Sequence, residues 1–274
     1  MLDDNDFRLL LDHLDRPWSG YRKVRKGVKK RVRRHMTQLS CTSIQDYLHR
    51  IDRHPAVWRQ CQDQLAVTIS RFFRDRQLWD QLQRRILPDL TMRFPEGLTA
   101  WSAGCANGEE AYSLSIVSAA VSETIVSAAA FETFSDTEPI QILATDADAT
   151  CLQRAREGRF PESSLKELPE AIKNRWLKPV GGRTWLIDER LSTRIHWETH
   201  QLLDKPPRDR FHLILLRNNL LTYYQGEQMH TAFNGIVECL EEGGILIIGS
   251  HEHPPPTHRL MKKDPLCPWI YVAH

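Results

Sequence analysis

Apolar residues in the first ninety positions recur at three- and four-residue steps. In "YRKVRKGVKKRVRRHMTQL", Tyr21, Val24, Val28, Val32, Met36 and Leu39 form one stripe, which predicts an amphipathic helix. "TSIQDYLHRI" continues the pattern through Ile44, Tyr47, Leu48 and Ile51, with Thr42 or Ser43 placed to cap it. Two further helices are predicted over "VWRQCQDQLAVTI" and "DRQLWDQLQRRILPDLTMRF". Between them lies "TISRFFRD", too dense in arginine and aromatics to be a bland connection.

From about residue 97 the pattern changes to short apolar runs alternating with helical stretches. "LTAWSAG", "IQILATD", "FHLILLRN", "GGILIIGS" and "WIYVAH" read as strands. "GEEAYSLSIVSAAVSE", "DATCLQRAREG" and "QGEQMHTAFNGIVECLEE" read as the helices between them. Such alternation predicts an α/β fold with a doubly wound, mostly parallel sheet. The segment 176–198 interrupts it. Its Gly181-Gly182 turn, flanked by apolar and β-branched residues, predicts a small inserted antiparallel β-subdomain containing Trp185 and Trp197. "IVSAA" occurs at 116 and again at 125, too short a period for a repeat architecture and better read as alanine-rich helix. The expected domains are therefore 1–90, all helical, and 91–274, sheet-based.

Charge sharpens that division. Residues 1–90 hold 19 Lys/Arg against 11 Asp/Glu, a balance of +8, whereas the remainder holds 18 against 24, a balance of −6. Nine of the fourteen residues 21–34 are Lys or Arg, so the first domain is expected to face something acidic. Six cysteines are scattered with no CxxC pair, which suits reduced thiols rather than zinc or a disulfide framework. No apolar run reaches the ~18 residues of a membrane span, and no basic-then-apolar leader opens the chain. A cytoplasmic protein without membrane insertion is the expectation. His251 and His253 lack the carboxylate or cysteine company of a metal site, so no metal is expected.

Ligands of open α/β sheets bind at the carboxyl ends of strands, near the point where strand order reverses. The predicted strands end in Gly104-Cys-Ala-Asn-Gly108 followed by Glu109 and Glu110, in Asp146 and Asp148, and in Arg217 to Asn219. The glycines permit close backbone approach. An acid directly after them disfavours a phosphate at the helix N-terminus and suits a cationic or hydroxyl-rich ligand. Asp146 stands where an acidic side chain commonly takes a ribose diol. A ribose and a positive charge without phosphate describe S-adenosylmethionine (S-adenosyl-L-methionine).

"TISRFFRD", "WSAGCANGEEAYSLSI", "ILATDADATCLQRAREGRF", "FHLILLRNNLLTYY" and "LEEGGILIIGSHE", in this order, closely resemble the S-adenosylmethionine-dependent methyltransferases of chemotaxis receptors, the CheR family. The resemblance covers nearly the whole chain. It implies a helical N-terminal domain, a class I methyltransferase domain with an inserted β-subdomain, and methyl transfer to glutamate side chains on the cytoplasmic helices of a chemoreceptor or related signalling protein. Carried over by position, it implies cofactor contacts from Thr68, Ser70, Arg74, Glu109, Asp146, Gln201, Leu202, Arg217 and Asn218, beside Gly104 of the turn. Arg74 is the candidate for seating the acceptor carboxylate. The basic N-terminal helix would meet the receptor's acidic surface.

The chain departs from the family at three of these positions and at one more. Thr68 and Gln201 stand where the family has Asn, and Ser70 where it has Thr. Thr222 replaces the tyrosine thought to lie near the transferred methyl, with Tyr223 one residue later. Either Tyr223 serves by a local shift, or the site has lost that contact. Three rivals follow: a methyltransferase of the same fold with another acceptor, a non-catalytic cofactor-binding signalling protein, and a nucleic-acid methyltransferase. The last is disfavoured, because the basic strip lacks interleaved aromatics and no NPPY-type tetrapeptide is present.

Overall fold

The computed structural model describes residues 2–128, 140–208, 210–259 and 261–274. Two compact units emerge, one of Met1–Thr68 with Asn218–His230 and one of Ile69–Arg217 with Thr231–His274.

The first unit is built of helices Asp4–His13, Trp18–Tyr21, Arg25–Gln38, Ile44–Arg53 and Pro55–Leu65, with Leu220–Tyr223 from later in the chain. The predicted stripe is buried as expected: Tyr21, Val28, Val32 and Met36 enter the core with Phe7, Leu10, Tyr47 and Ile51. The chain turns at 22–24, so Tyr21 lies on a short helix of its own rather than on the long basic one. Ser43 caps the helix after it by accepting the Asp46 N–H at 3.1 Å, which settles the choice between Thr42 and Ser43.

The second unit holds strands β1 (Leu98–Ala103), β2 (Ile140–Asp146), β3 (Arg159–Pro161), β4 (Leu177–Gly181), β5 (Thr184–Ile187), β6 (Ile195–Thr199), β7 (Phe211–Leu216), β8 (Leu240–Ile248), β9 (Met261–Lys263) and β10 (Ile270–Ala273). Seven form one sheet in the order β6-β2-β1-β7-β8-β10-β9, parallel from β6 through β8, with β10 and β9 antiparallel at one edge. Its parallel strands are apolar almost throughout, as strands covered on both faces must be. The second "IVSAA" copy runs to Ala129, which lies outside the described residues.

Three expectations are corrected. The expected boundary at residue 90 puts the segment 76–90 in the helical domain, yet Leu78, Trp79, Leu82, Ile86, Leu87 and Leu90 are buried in the core of the sheet unit. Helical spacing reveals that one face is buried, but not which unit covers it. Conversely, residues 218–230 cluster with the helical unit although they follow a sheet strand. Finally, the inserted subdomain is the three-stranded antiparallel sheet β3-β5-β4. Its third strand, Arg159–Pro161, precedes the expected range and is too short to carry a periodic signal. The expected range overshoots at its other end, because 195–199 is β6 of the main sheet, paired parallel to β2. Trp197 therefore packs against Tyr112 in the main core, their rings 5.5 Å apart, and not in the insertion.

Candidate active site

Along the sheet, β2 and β6 lie to one side of β1 and β7 lies to the other, so the connection order reverses between β1 and β7. A doubly wound sheet opens a crevice at such a point. The order β6-β2-β1-β7 brings four carboxyl ends into one row. These carry Gln201 and Leu202 after β6, Asp146 at the end of β2, Gly104 after β1, and Arg217 after β7.

The turn after β1 is tightly tied. The Gly104 and Cys105 N–H groups both donate to the Thr145 carbonyl at 2.8 Å, and the Ala106 N–H donates to Asp146 Oδ2 at 2.8 Å. Gly104 (φ 78°), Ala106 (φ 50°) and Gly108 (φ 92°) are left-handed. Gly108 has a different use from the one expected. A Cβ there would lie 2.7 Å from the Trp197 ring and 2.8 Å from the Ala155 Cβ, so its missing side chain makes room for protein packing and not for a ligand. Asp146 Oδ1 accepts the Asp148 N–H at 2.9 Å. The carboxylate also accepts the Ala147 N–H, which leaves acceptor capacity for one further hydroxyl, and burial raises its pKa above the usual carboxylate range.

Glu109 opens the helix Glu109–Ala128 and is 3% exposed. Burial raises its pKa, opposed by the peptide N–H of its own residue and by a hydrogen bond from Ser70. Its Oε2 is buried with no hydrogen-bond partner among the described residues. An ionised carboxylate left so is costly unless a donor or cation arrives.

Glu110, named in the sequence only as the second acid after the glycine turn, is a residue that reading missed. Its Oε1 accepts Ser102 Oγ–H at 2.8 Å and its Oε2 accepts Arg217 Nη1 at 2.9 Å. Arg217 Nη2 donates to Asp75 Oδ2 at 2.5 Å and to the Arg74 carbonyl at 3.1 Å. The Arg217 side chain is 2% exposed, and its Nε is buried without a partner among the described residues. Burial pushes the Glu110 pKa up and the Arg217 charge pulls it down, with a net upward shift.

Ser70, Arg74, Glu109, Asp146, Arg217 and the glycine turn are thus in one unit, at neighbouring strand ends and in the linker bonded to them. Leu202 is buried and Gln201 half-buried in the loop after β6. Thr68, Asn218 and Tyr223 belong to the helical unit. There the Tyr223 ring meets Tyr21 edge-on at 5.1 Å, the Tyr223 carbonyl accepts Arg16 Nη1 at 3.2 Å, and Arg16 lies over the Tyr224 ring at 3.5 Å. The Tyr223 ring is part of the packing around the helical core.

The donor set fits S-adenosylmethionine. One buried acceptor, Glu109 Oε2, suits a cation, and one buried donor, Arg217 Nε, suits a carboxylate; an amino-acid group carries both. Asp146 supplies acceptor capacity for a hydroxyl. Among the described residues no group of three His, Cys, Asp or Glu is arranged to hold a metal, and no helix is long and apolar enough to cross a membrane.

The chain is similar to known proteins. Residues 68–265 match the family model described as "CheR methyltransferase, SAM binding domain". The chain is 32% identical over 188 residues to a protein of Listeria monocytogenes named "Chemotaxis protein methyltransferase", a match covering 69% of this chain and 66% of that one, slightly under two thirds. A protein of the same name from Borreliella burgdorferi is 28% identical over 196 residues, covering 69% and 66%. "Chemotaxis protein methyltransferase 1" of Pseudomonas aeruginosa is 26% identical over 236 residues, covering 82% and 81%.

Proposed function

The chain belongs to the CheR methyltransferase family, and from that premise we propose that it methylates glutamate side chains of a chemoreceptor or receptor-like signalling protein. The observation that carries the reading is the buried, unpartnered Glu109 oxygen beside the β1/β7 crevice. A phosphate-bearing cofactor would be repelled there, and a cationic one is held.

S-adenosylmethionine, when bound, supplies an electrophilic methyl group on a sulfonium. The chain's residues do the rest. Glu109 and the Arg217 Nε would hold the amino-acid end, and Asp146 would take a ribose hydroxyl. Arg74 seats the acceptor carboxylate by a charge-assisted hydrogen bond. A glutamate with an ordinary pKa of ~4.3 is already ionised at neutral pH, so the site needs no general base. Its task is alignment and the exclusion of water. Tyr223, one residue after the position of the family's tyrosine, packs its ring against Tyr21 in the helical unit.

Incubation with methyl-labelled cofactor and receptor cytoplasmic fragments should give base-labile label released as methanol. Cofactor binding without label on any receptor fragment would overturn the reading. Stable label on the same fragments would favour another acceptor, the reading that Thr222 in place of the family's tyrosine supports.

A further inference from the structure

Arg74 sits on an unusual piece of backbone. Phe73 (φ 52°) and Asp75 (φ 62°), on either side of it, are both left-handed without being glycine. Such strain persists only where the surroundings over-determine it. Here they do. The Phe73 N–H donates to Ser113 Oγ at 3.0 Å, and the Phe72 N–H donates to the Ser164 carbonyl at 3.0 Å. The Arg74 carbonyl accepts both Trp79 Nε1 at 2.9 Å and Arg217 Nη2 at 3.1 Å.

We propose that Ser102, Glu110, Arg217 and Asp75 form a positioning relay that fixes Arg74 for the acceptor carboxylate. This rests on the methyl-transfer reading above. The relay runs in one line of hydrogen bonds: Ser102 to Glu110 at 2.8 Å, Glu110 to Arg217 at 2.9 Å, Arg217 to Asp75 at 2.5 Å. It ties the helix after β1, the end of β7 and the linker into one piece across the crevice.

The charges also call for Arg74. Two carboxylates and one guanidinium leave one negative charge, with side-chain exposures of 13% for Glu110, 2% for Arg217 and 35% for Asp75. The Arg74 cation favours ionised Glu110 and closes that balance. Lysine at 217 would not serve, because a point charge cannot grip two carboxylates and a carbonyl as a planar fork does. The family's positional contacts do not account for Glu110 or Asp75; the relay gives both a purpose.

The test uses the full chain in the methanol-release assay. Asp75 is 35% exposed on its side chain, and Asp75→Asn keeps its shape, so it is the mildest cut in the relay. It should lower kcat by roughly 10- to 100-fold, the scale of a displacement near 1 Å, while cofactor Kd changes by less than about threefold. In an Arg74→Ala background the same change should cost nothing further, because a relay acting through Arg74 has nothing left to position. Losses that multiply, or an Asp75→Asn enzyme with unchanged kcat, would overturn the relay.

If the wild-type protein transfers no methyl group, tryptic cleavage after Arg71 and Arg74 still judges the relay. Arg217→Lys and Glu110→Gln leave the linker sequence intact and should each speed cleavage there. Cleavage as slow as in the wild type, with both variants folded, would refute the relay independently of the reaction.

Discussion

In the helical unit most charges lie outside, Arg16 being a buried exception at 6% exposure, bonded to Gln62 and the Tyr223 carbonyl. Nine of the fourteen residues 21–34 are Lys or Arg. Of these, Lys26, Lys30, Arg33 and Arg34 are exposed, while Lys29 and Arg25 reach Asp4 at 2.5 and 3.2 Å. In the sheet unit the charges that matter are sunk: Arg217 is 6% exposed and Glu109 3%. Exposed cations act over about a Debye length, weaken with salt and tolerate exchange for one another. Buried ones act at fixed geometry, and changing a single atom alters what they do. On the proposed reading, one unit attracts a partner and the other holds small groups in place.

The largest expected difference between the regions lies in their packing. Gly108→Ala puts a Cβ 2.7 Å from Trp197 in a residue whose φ is 92°. Left-handed strain and overpacking together should cost roughly 2–4 kcal/mol. Gly27, on the basic helix, has no atom within 4 Å of the added Cβ. Gly27→Ala should gain about 0.5–1 kcal/mol through helix propensity alone. Denaturant unfolding measures both. Shifts of the same sign would remove the contrast between a sheet unit packed to its limit and a helix with room on its surface.

Next in size is the buried acid. Glu109→Gln keeps shape and removes charge, and loss of a charge-assisted bond of about 1.5–3 kcal/mol should weaken cofactor binding roughly 10- to 100-fold at neutral pH. Because burial raises the Glu109 pKa, wild-type affinity should fall more steeply as pH drops into that raised range than that of the Gln variant, which keeps only the titration of Asp146. The stability of the unliganded chain moves the other way. Between the ordinary value of ~4.5 and the raised folded one, the unfolded chain has released a proton that the folded chain keeps. The stability of wild type minus that of Glu109→Gln is therefore greatest below about pH 4.5 and declines as pH rises through the window. Calorimetry of binding and thermal unfolding across pH measure the two trends. A wild-type affinity with the same pH profile as the variant's would remove Glu109 from the cation site.

Much of this architecture is legible in the amino-acid pattern. Period-3.6 stripes locate the N-terminal helices, and apolar runs locate β1, β2, β7 and β8. Polar residues at the ends of three of these strands point to Glu109, Asp146 and Arg217. What periodicity cannot carry is the identity of a partner. Trp197 reads equally well on a hairpin or on β6, and only the Ile142–Ile195 pairing decides. Leu78 to Leu90 show a buried face without naming the sheet as its cover. Glu110 meets Arg217, 107 residues away, and Asp75 meets it from 142 residues away. No local spacing signals such pairs. The doublet Glu109-Glu110 and the final acid of "TISRFFRD" are the available hints, and they acquire meaning only once the strand order is known.

The smallest expected effect is the one that isolates the helical unit. Lys30→Glu with Arg34→Glu reverses two exposed charges four residues apart without touching the buried stripe. If that face steers an acidic receptor bundle, as proposed, receptor KM should rise about three- to tenfold at low salt, and the gap should close by about 0.5 M salt. Cofactor affinity and kcat should stay as in the wild type, because no residue of the strand-end site changes. Titrating receptor fragment at two salt concentrations reads all of these together. A fall in kcat that persists at high salt would mean that the basic helix contributes to alignment as well as attraction, and the division between an attracting unit and a positioning unit would fail.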